Sequence, residues 1–402
     1  MTRPIRIVFL VFYFEAWDSL DAIYRVMLAD SRFEPSVVTI PRKLTGYEDF
    51  SDLELINEFF TSRGIDHVSL DYPDGWGGNK LLRNMNPDYI FLNYPWQRNY
   101  QPGYQIEQLR EFTKVCYVPY FSTSLVQEPG VEGVALHQYT QPTHEQADLV
   151  FLQDEETKAA FDTNGRAEHA FLVGTPKIDA LISARSEVEP YWPLDSDEPQ
   201  GDRRLRVLWA PHHTYAQRWL NFGHFVDQKD LMLEYAATHP EIDVVFRPHP
   251  FLFGTMTDRE VMTPNEVEFW QARWNALPNT YTDVDIALPA ILLASDVLVT
   301  DGVSFLVEYP LVTGKPCIFW EKPDHWEFSR LGHMAAEASI RVESFSEVVA
   351  AIALATRGQL PSREEAITAL FEEVRPYPTE SAQVIVELVA ADFTECSVTS
   401  SD

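Results

Sequence analysis

Cysteine is scarce in this chain: three residues in 402, at positions 116, 317 and 396. Their spacing fits no metal-ligand pattern. Three widely separated thiols also exclude a disulfide framework and give no sign of a secretory compartment. Cys116 and Cys317 lie in apolar runs, where buried and inert thiols are expected. Basic residues are scarce as well: 31 Lys and Arg stand against 61 Asp and Glu, a formal net charge of −30. That balance excludes nucleic acid as a partner, because phosphate-rich polymers need a basic face. An anionic small molecule would need a locally positive pocket made by helix N-termini and a few Arg or His. The bulk acidity serves solubility.

The apolar run near the N-terminus, Ile5 to Tyr13, is too short to span a bilayer. Glu15, Trp17 and Asp18 end it and no small-residue cleavage site follows, so it reads as a buried strand rather than a signal segment. A cytoplasmic protein is expected. Several motifs are missing. No G-x-G-x-x-G follows the first strand, and there is no P-loop, no G-x-S-x-G elbow and no H-E-x-x-H. No Asp-x-Asp pair flanked by an apolar strand is present either, so no metal is expected. Charge at an anion site would then be met by a helix dipole, Arg and His.

What is present is globular in composition: 45% hydrophobic and 23% charged residues, in a length that gives two domains. Strand and helix signals alternate through the first half. Strands are expected at Ser36 to Ile40, His67 to Leu70, Tyr89 to Asn93, Val115 to Val118, Leu149 to Leu152 and Ala170 to Val173. Helices are expected at Ser19 to Ala29, Asp52 to Arg63 and Tyr104 to Phe112. Alternation of this kind predicts a parallel sheet covered on both faces. A Pro-rich, acidic, aperiodic stretch at 185–204 reads as a linker between a domain at 1–184 and a second at 205–402. The second half repeats the pattern, with strands at Leu205 to Trp209, Val244 to Arg247 and Val297 to Thr300. Closing helices are expected at Ser344 to Thr356, Ser362 to Val374 and Glu380 to Ala390. The fold class is α/β, two Rossmann-like parallel-sheet domains, with a ligand expected beyond the carboxyl ends of the strands in the cleft between them.

Three consecutive strand ends in the second half carry polar residues of one kind. They read Ala210-Pro-His-His-Thr214, Arg247-Pro-His-Pro250 and Asp301-Gly-Val-Ser304. The last opens a helix expected over Val303 to Thr313, stopped by Gly314, with Pro316 opening the next strand. A helix N-terminus favours phosphate. Arg247 suits bidentate contact to phosphate oxygens. Histidine donates hydrogen bonds, carries charge or takes a proton, so His212, His213 and His249 are the catalytic candidates. Asp301, Gly302, Ser304 and Glu308 complete the expected phosphate and ribose site. An ordinary strand–helix corner with a capping Ser or Asp would show the same local pattern. In the first half, Glu15, Asp18 and Tyr120 follow strands, as do Asn93-Tyr-Pro-Trp96 and Gly174-Thr-Pro-Lys-Ile-Asp179. They suit an acceptor site, and the aromatic ones equally suit a domain interface.

These motifs together resemble the CDP-glycerol glycerophosphotransferase family, the teichoic-acid polymerases and primases, with GT-B fold. The resemblance rests on Val207-Leu-Trp-Ala-Pro-His-His-Thr214, Phe246-Arg-Pro-His-Pro250 and Ser295-Asp-Val-Leu-Val-Thr-Asp-Gly-Val-Ser304, extended by Glu308 and Gly314-Lys-Pro316. It implies a transferase with a nucleotide-diphosphate donor such as CDP-glycerol as substrate and no separate cofactor. The acceptor would be a glycan or a lipid-linked polymer, which allows peripheral association with the inner face of the membrane. It further implies that His249 and Ser304 contact the diphosphate and that Arg247 and Asp301 shape its pocket. The chain departs from the family in two places. The family's Trp-His-Gly-Thr-Pro loop is replaced by Tyr117-Val-Pro-Tyr-Phe-Ser122, and Ala210-Pro-His-His-Thr214 replaces an Ala-Pro-Thr motif. The donor and acceptor therefore stay open, and the Asp-Gly-x-Ser outline is shared with nucleotide-sugar 2-epimerases. Related readings are a glycosyltransferase and a non-catalytic GT-B binding subunit.

Overall fold

The computed structural model describes residues 3–44, 47–120, 125–132, 136–163, 169–194, 203–215, 219–375 and 380–399. The chain divides into two compact units. The first is residues 1–124, 130–180 and 374–402; the second is 125–129 and 181–373.

Among the described residues, the first unit holds seven strands, β1 Ile5–Val11, β2 Phe33–Thr39, β3 His67–Ser69, β4 Tyr89–Leu92, β5 Lys114–Tyr117, β6 Leu149–Leu152 and β7 Ala170–Leu172. They lie in the order β3-β2-β1-β4-β5-β6-β7, and all the pairings are parallel. Both faces of the central strands are covered, so they read as unbroken apolar runs: every residue of Tyr89–Leu92 and Leu149–Leu152 is buried. The helix expected at Tyr104 to Phe112 is reduced to Ile106–Leu109, preceded by a 3-10 turn at Pro102–Tyr104. Gly103, inside that turn, packs against the Gly75 backbone so closely that a Cβ there would sit 2.4 Å from the Gly75 carbonyl carbon.

The second unit holds β8 Leu205–Ala210, β9 Ile242–Phe246, β10 Thr280–Thr282, β11 Val297–Thr300, β12 Ile318–Trp320 and β13 Ile340–Val342. Their order, β10-β9-β8-β11-β12-β13, is the doubly wound 3-2-1-4-5-6 arrangement, again all parallel. An aromatic cluster fills one face of this sheet. Trp209 lies 4.9 Å from Phe246 and 5.5 Å from Trp274, with Phe225 and Trp270 beside them. Burying such side chains stabilises the unit by about 1.5–3 kcal/mol each.

Two features differ from the sequence expectation. The stretch expected as a linker at 185–204 begins inside a helix, Pro176–Glu187. Trp192, 2% exposed, is then packed into the second unit with Arg206 over its ring. Residues 195–202 of that stretch lie outside the described residues. The last helix, Ser381–Thr399, does not close the second unit but belongs to the first. Its apolar face (Ala382, Ile385, Val386, Val389) is buried, and it packs on the helix Asp18–Ala29. Asp179 accepts from Ser381 N at 2.7 Å and Ser381 Oγ at 2.6 Å, and Asp392 accepts from Lys114 Nζ and Tyr89 Oη. These partners lie far away in sequence, which is why periodicity alone misplaced the helix. No helix among the described residues is long and apolar enough to cross a membrane.

Candidate functional site

Strand order reverses between β8 and β11, and the carboxyl edge at such a point is where open α/β sheets bind ligands. The sequence candidates come off both sides of it. Trp209 pairs with Val299 and with Phe246, so the segments after β8, β9 and β11 leave the sheet side by side. His249 N–H reaches Pro211 O at 3.4 Å and ties the first two segments together.

The three histidines meet. Ring centroids are 4.7 Å apart for His212 and His213, 5.2 Å for His212 and His249, and 4.2 Å for His213 and His249. One ring nitrogen from each lies within 4.8 Å of the other two. Phe251 stands edge-on to His213 at 5.4 Å and beside His249 at 5.3 Å. All three rings are half-buried. Burial holds His212 neutral, its pKa lowered to about 4. Burial also lowers His213 and His249 well below the usual imidazole range, and neighbouring rings add to it because a second positive charge so near is repelled.

The surrounding contacts orient the rings. His212 Nδ1 is 2.8 Å from Thr214 Oγ1 and 3.3 Å from Thr214 N. His213 Nδ1 is 3.3 Å from Thr255 Oγ1, and Phe251 N–H donates to His249 Nδ1 at 3.1 Å. Beside His212 stands Gly302, the N-cap of the helix Val303–Thr313; a Cβ on it would lie 3.5 Å from His212 Cδ2. Gly302 has no side chain with which to cap this helix, and among the described residues no other side chain bonds its first N–H groups. Ser304 is its second residue and half-buried; Glu308, one turn further on, is 6% exposed. The helix ends at Gly314, whose φ of 70° is the left-handed C-cap that glycine adopts without strain.

Two residues read from sequence as pocket-shaping have other partners. Arg247 Nη1 is bonded to Asp283, which is fully buried, and to Ile286 O at 3.0 Å, so its charge is balanced from behind. Asp301, 2% exposed, accepts the His212 and His224 backbone N–H groups, one on each oxygen. Burial pushes its carboxyl up to about 7, against the pull of those two donors. Its place is beneath the histidine loop, which it pins. Lys322, two residues beyond β12, also follows a strand end and was not among the sequence candidates. Its Nζ donates to Asn221 Oδ1 at 3.1 Å and lies 5.8 Å from the Tyr215 ring centre.

In the first unit, Glu15 accepts two bonds from Arg42 Nη1, at 2.7 and 2.8 Å, and Arg42 Nε also bonds Asp52 at 2.9 Å. Glu15, read from the sequence as an acceptor-side residue, is thus tied with Asp52 to the buried Arg42 guanidinium. Asp18 starts a helix and lies 3.3 Å from Lys177 Nζ, which places the Gly174–Asp179 segment beside it. Tyr120 stacks on Tyr94 with centroids 5.3 Å apart, with Tyr13 at 5.4 Å and Trp96 at 6.3 Å. Phe121 and Ser122, from the same segment, lie outside the described residues, as does the side chain of Cys396.

No protein-family model matches the chain, and no curated protein matches it. Solved structures do. A Listeria monocytogenes protein described as a UDP-N-acetylglucosamine 2-epimerase is similar with a TM-score of 0.63 and 16% identity, covering 98% of each chain. The UDP-GlcNAc 2-epimerase of Neisseria meningitidis, solved with UDP-GlcNAc, gives 0.58 and 14%, covering 96% of this chain and 100% of its own. The wall teichoic acid polymerase TagF gives 0.54 and 13%, covering 98% of this chain and 90% of that one. At these identities the likeness is one of fold. The chain has the GT-B fold: two Rossmann-like α/β units, shared by a polymerase of the kind its motifs resemble and by 2-epimerases.

Proposed function

We propose that this protein is a GT-B transferase that uses a nucleotide-diphosphate donor, CDP-glycerol-like, to extend a glycan or lipid-linked polymer of the cell surface. One observation carries the reading. An uncapped, 11-residue helix begins beside a cluster of three imidazoles, at the switch point of a doubly wound sheet. Free N–H groups and the helix dipole favour a phosphate group there. In this reading Glu308, one turn in from Ser304, takes a ribose hydroxyl. In the reaction, an acceptor hydroxyl oxygen attacks the distal phosphorus and forms the new P–O bond. The bond to the bridging oxygen breaks, CMP leaves, and the hydroxyl proton passes to a base. Positioning and charge stabilisation would supply most of the rate. The acceptor side falls to the first unit, where Tyr120, Tyr94 and Trp96 form an aromatic wall.

A second reading, a nucleotide-sugar 2-epimerase, is favoured by overall backbone likeness, 0.63 against 0.54 for the polymerase. A donor screen separates them. CMP released from CDP-glycerol only when acceptor is present supports the transferase. Sugar inversion without acceptor supports the isomerase, and a nucleoside diphosphate released with acceptor indicates a glycosyltransferase. Binding without turnover leaves a binding subunit. If no nucleotide binds at millimolar concentration, every version of this reading fails.

A further inference from the structure

We propose that His212, His213 and His249 together form a binding site for a divalent transition-metal ion, with three imidazole ligands and one coordination position left for an outside oxygen. The motif absences in the sequence point the other way, to an anion site without metal. The three side chains suggest otherwise. Among the described residues this is the one group of three His, Cys, Asp or Glu side chains whose ligand atoms converge, within 4.8 Å of one another. Metal–nitrogen bonds of about 2.0–2.1 Å in a tetrahedral site put ligand nitrogens about 3.3 Å apart, so each ring has to move inward by about 1 Å or less. An all-imidazole set suits Zn2+, Co2+ or Ni2+ and is a poor site for Mg2+ or Ca2+, which take oxygen.

The outer contacts match this use. A histidine that binds metal through Nε2 carries its proton on Nδ1 and donates it to a fixed acceptor, which orients the ring. Thr214 Oγ1 stands 2.8 Å from His212 Nδ1 and Thr255 Oγ1 stands 3.3 Å from His213 Nδ1. Thr214 N–H also points at His212 Nδ1, from 3.3 Å, and that weak bond is given up when Nδ1 carries the proton. His249 is held by a shorter contact of that kind: its Nδ1 accepts the Phe251 N–H at 3.1 Å, and a proton there would break that bond. His249 is therefore the weakest of the three ligands.

Charge supplies the motive. The guanidinium of Arg247 is already balanced by Asp283, and the three rings converge with centroids 4.2–5.2 Å apart. A bound divalent ion adds a positive charge at the histidine cluster itself, beside that of Lys322 beyond β12. Three protein nitrogens and an open position are the pattern of metal sites that bind or activate an oxygen ligand. With Gly302 and the uncapped helix beside His212, that ligand is a phosphate oxygen or water.

The test uses the full chain, stripped with chelator, and needs no nucleotide, so it stands or falls apart from the transferase reading. Co2+ is titrated in and the visible ligand-field bands are recorded; Zn2+ binding is followed by calorimetry. The expected result is one ion per chain at micromolar or lower concentration, with nitrogen-ligated tetrahedral or five-coordinate bands. His212→Ala and His213→Ala should each raise the apparent Kd by about 100-fold, and His249→Ala by about 10-fold. His→Gln versions and circular dichroism guard against misfolding. His239→Ala and His333→Ala, which alter histidines outside the cluster, should bind as the parent does. The proposal is overturned if the parent chain binds no ion below millimolar concentration. It is equally overturned if folded cluster variants keep the parent affinity, or if the two outside variants lose it.

Discussion

Arg247 and Asp283 make the most exacting test of how this strand edge is built, because removing each partner gives a different result. Asp283 is fully buried, and its Oδ1 also accepts the backbone N–H groups of Asp285 at 3.2 Å and Ile286 at 2.9 Å. Arg247 keeps 22% of its side chain exposed. Breaking a buried pair by removing one partner costs about 3–5 kcal/mol, because the other charge is left without compensation. Arg247→Met strands the buried carboxylate, but two N–H donors still hold it, so the cost falls to the low end, about 3 kcal/mol. Asp283→Asn leaves the guanidinium, which water can partly reach, at about 2 kcal/mol. In a unit of 150–250 residues each kcal/mol shifts Tm by roughly 2–4 °C, giving drops of about 6–12 °C and 4–8 °C. The double variant removes both charges and should recover most of the loss, a coupling of about 2 kcal/mol in a double-mutant cycle. Thermal unfolding by calorimetry reads all four proteins. Additive losses in the cycle, or an Asp283→Asn variant as stable as the parent, would refute the assignment. Asp283→Asn should also tighten binding of inorganic diphosphate, read by calorimetry, because it frees the Arg247 guanidinium.

Three further outcomes are expected. Glu308→Gln should weaken binding of the nucleotide donor more than it slows the bound-state step; calorimetric affinity and single-turnover rate separate the two, and unchanged affinity would remove Glu308 from the ribose. Asp179→Ala, which takes away the acceptor for Ser381 N and Oγ, should cost about 1–2 kcal/mol and speed amide exchange in the first turns of Ser381–Thr399. Stability should fall on acidification from pH 6.5 toward 4, because the unfolded chain takes up a proton at His212 that the folded ring, lowered to about 4, refuses. Denaturant titrations across that window, with His212→Gln flattening the slope, check the sign.

Much of the second unit was legible because each signal there was local. β11 and the helix after it have the expected bounds, Val297–Thr300 and Val303–Thr313, since a four-residue apolar run and a C-terminal glycine mark them without help from the rest of the chain. β10, Thr280–Thr282, was not expected: three residues with one buried carry no period to read. The helix Trp76–Met85 was hidden by Gly77 and Gly78, which count against a helix until Tyr72 is seen filling the space beside Gly77 and Tyr104 the space beside Gly78. The convergence of His212, His213 and His249 followed from strand ends plus a parallel sheet, so the candidate site could be found. What each group is bonded to could not. Asp283 lies 36 residues from Arg247, and Asp301 lies 89 from His212; such pairings are set by strand order, which no local pattern encodes.

The helix Ser381–Thr399 also dictates an order of events during synthesis. β7 ends at Leu172, so every strand of the first unit has left the ribosome about 200 residues before this helix appears. At about 5–20 residues per second that is a wait of roughly 10–40 s. Throughout it the helix Asp18–Ala29 lacks its eventual cover, and Asp179 waits for Ser381. The second unit, nearly continuous in sequence, has all its strands in hand by Val342. A nascent chain stalled anywhere between 200 and 380 therefore carries a first sheet that is complete in its strands while the helix Asp18–Ala29 still lacks its cover, which is the form a ribosome-associated chaperone would meet.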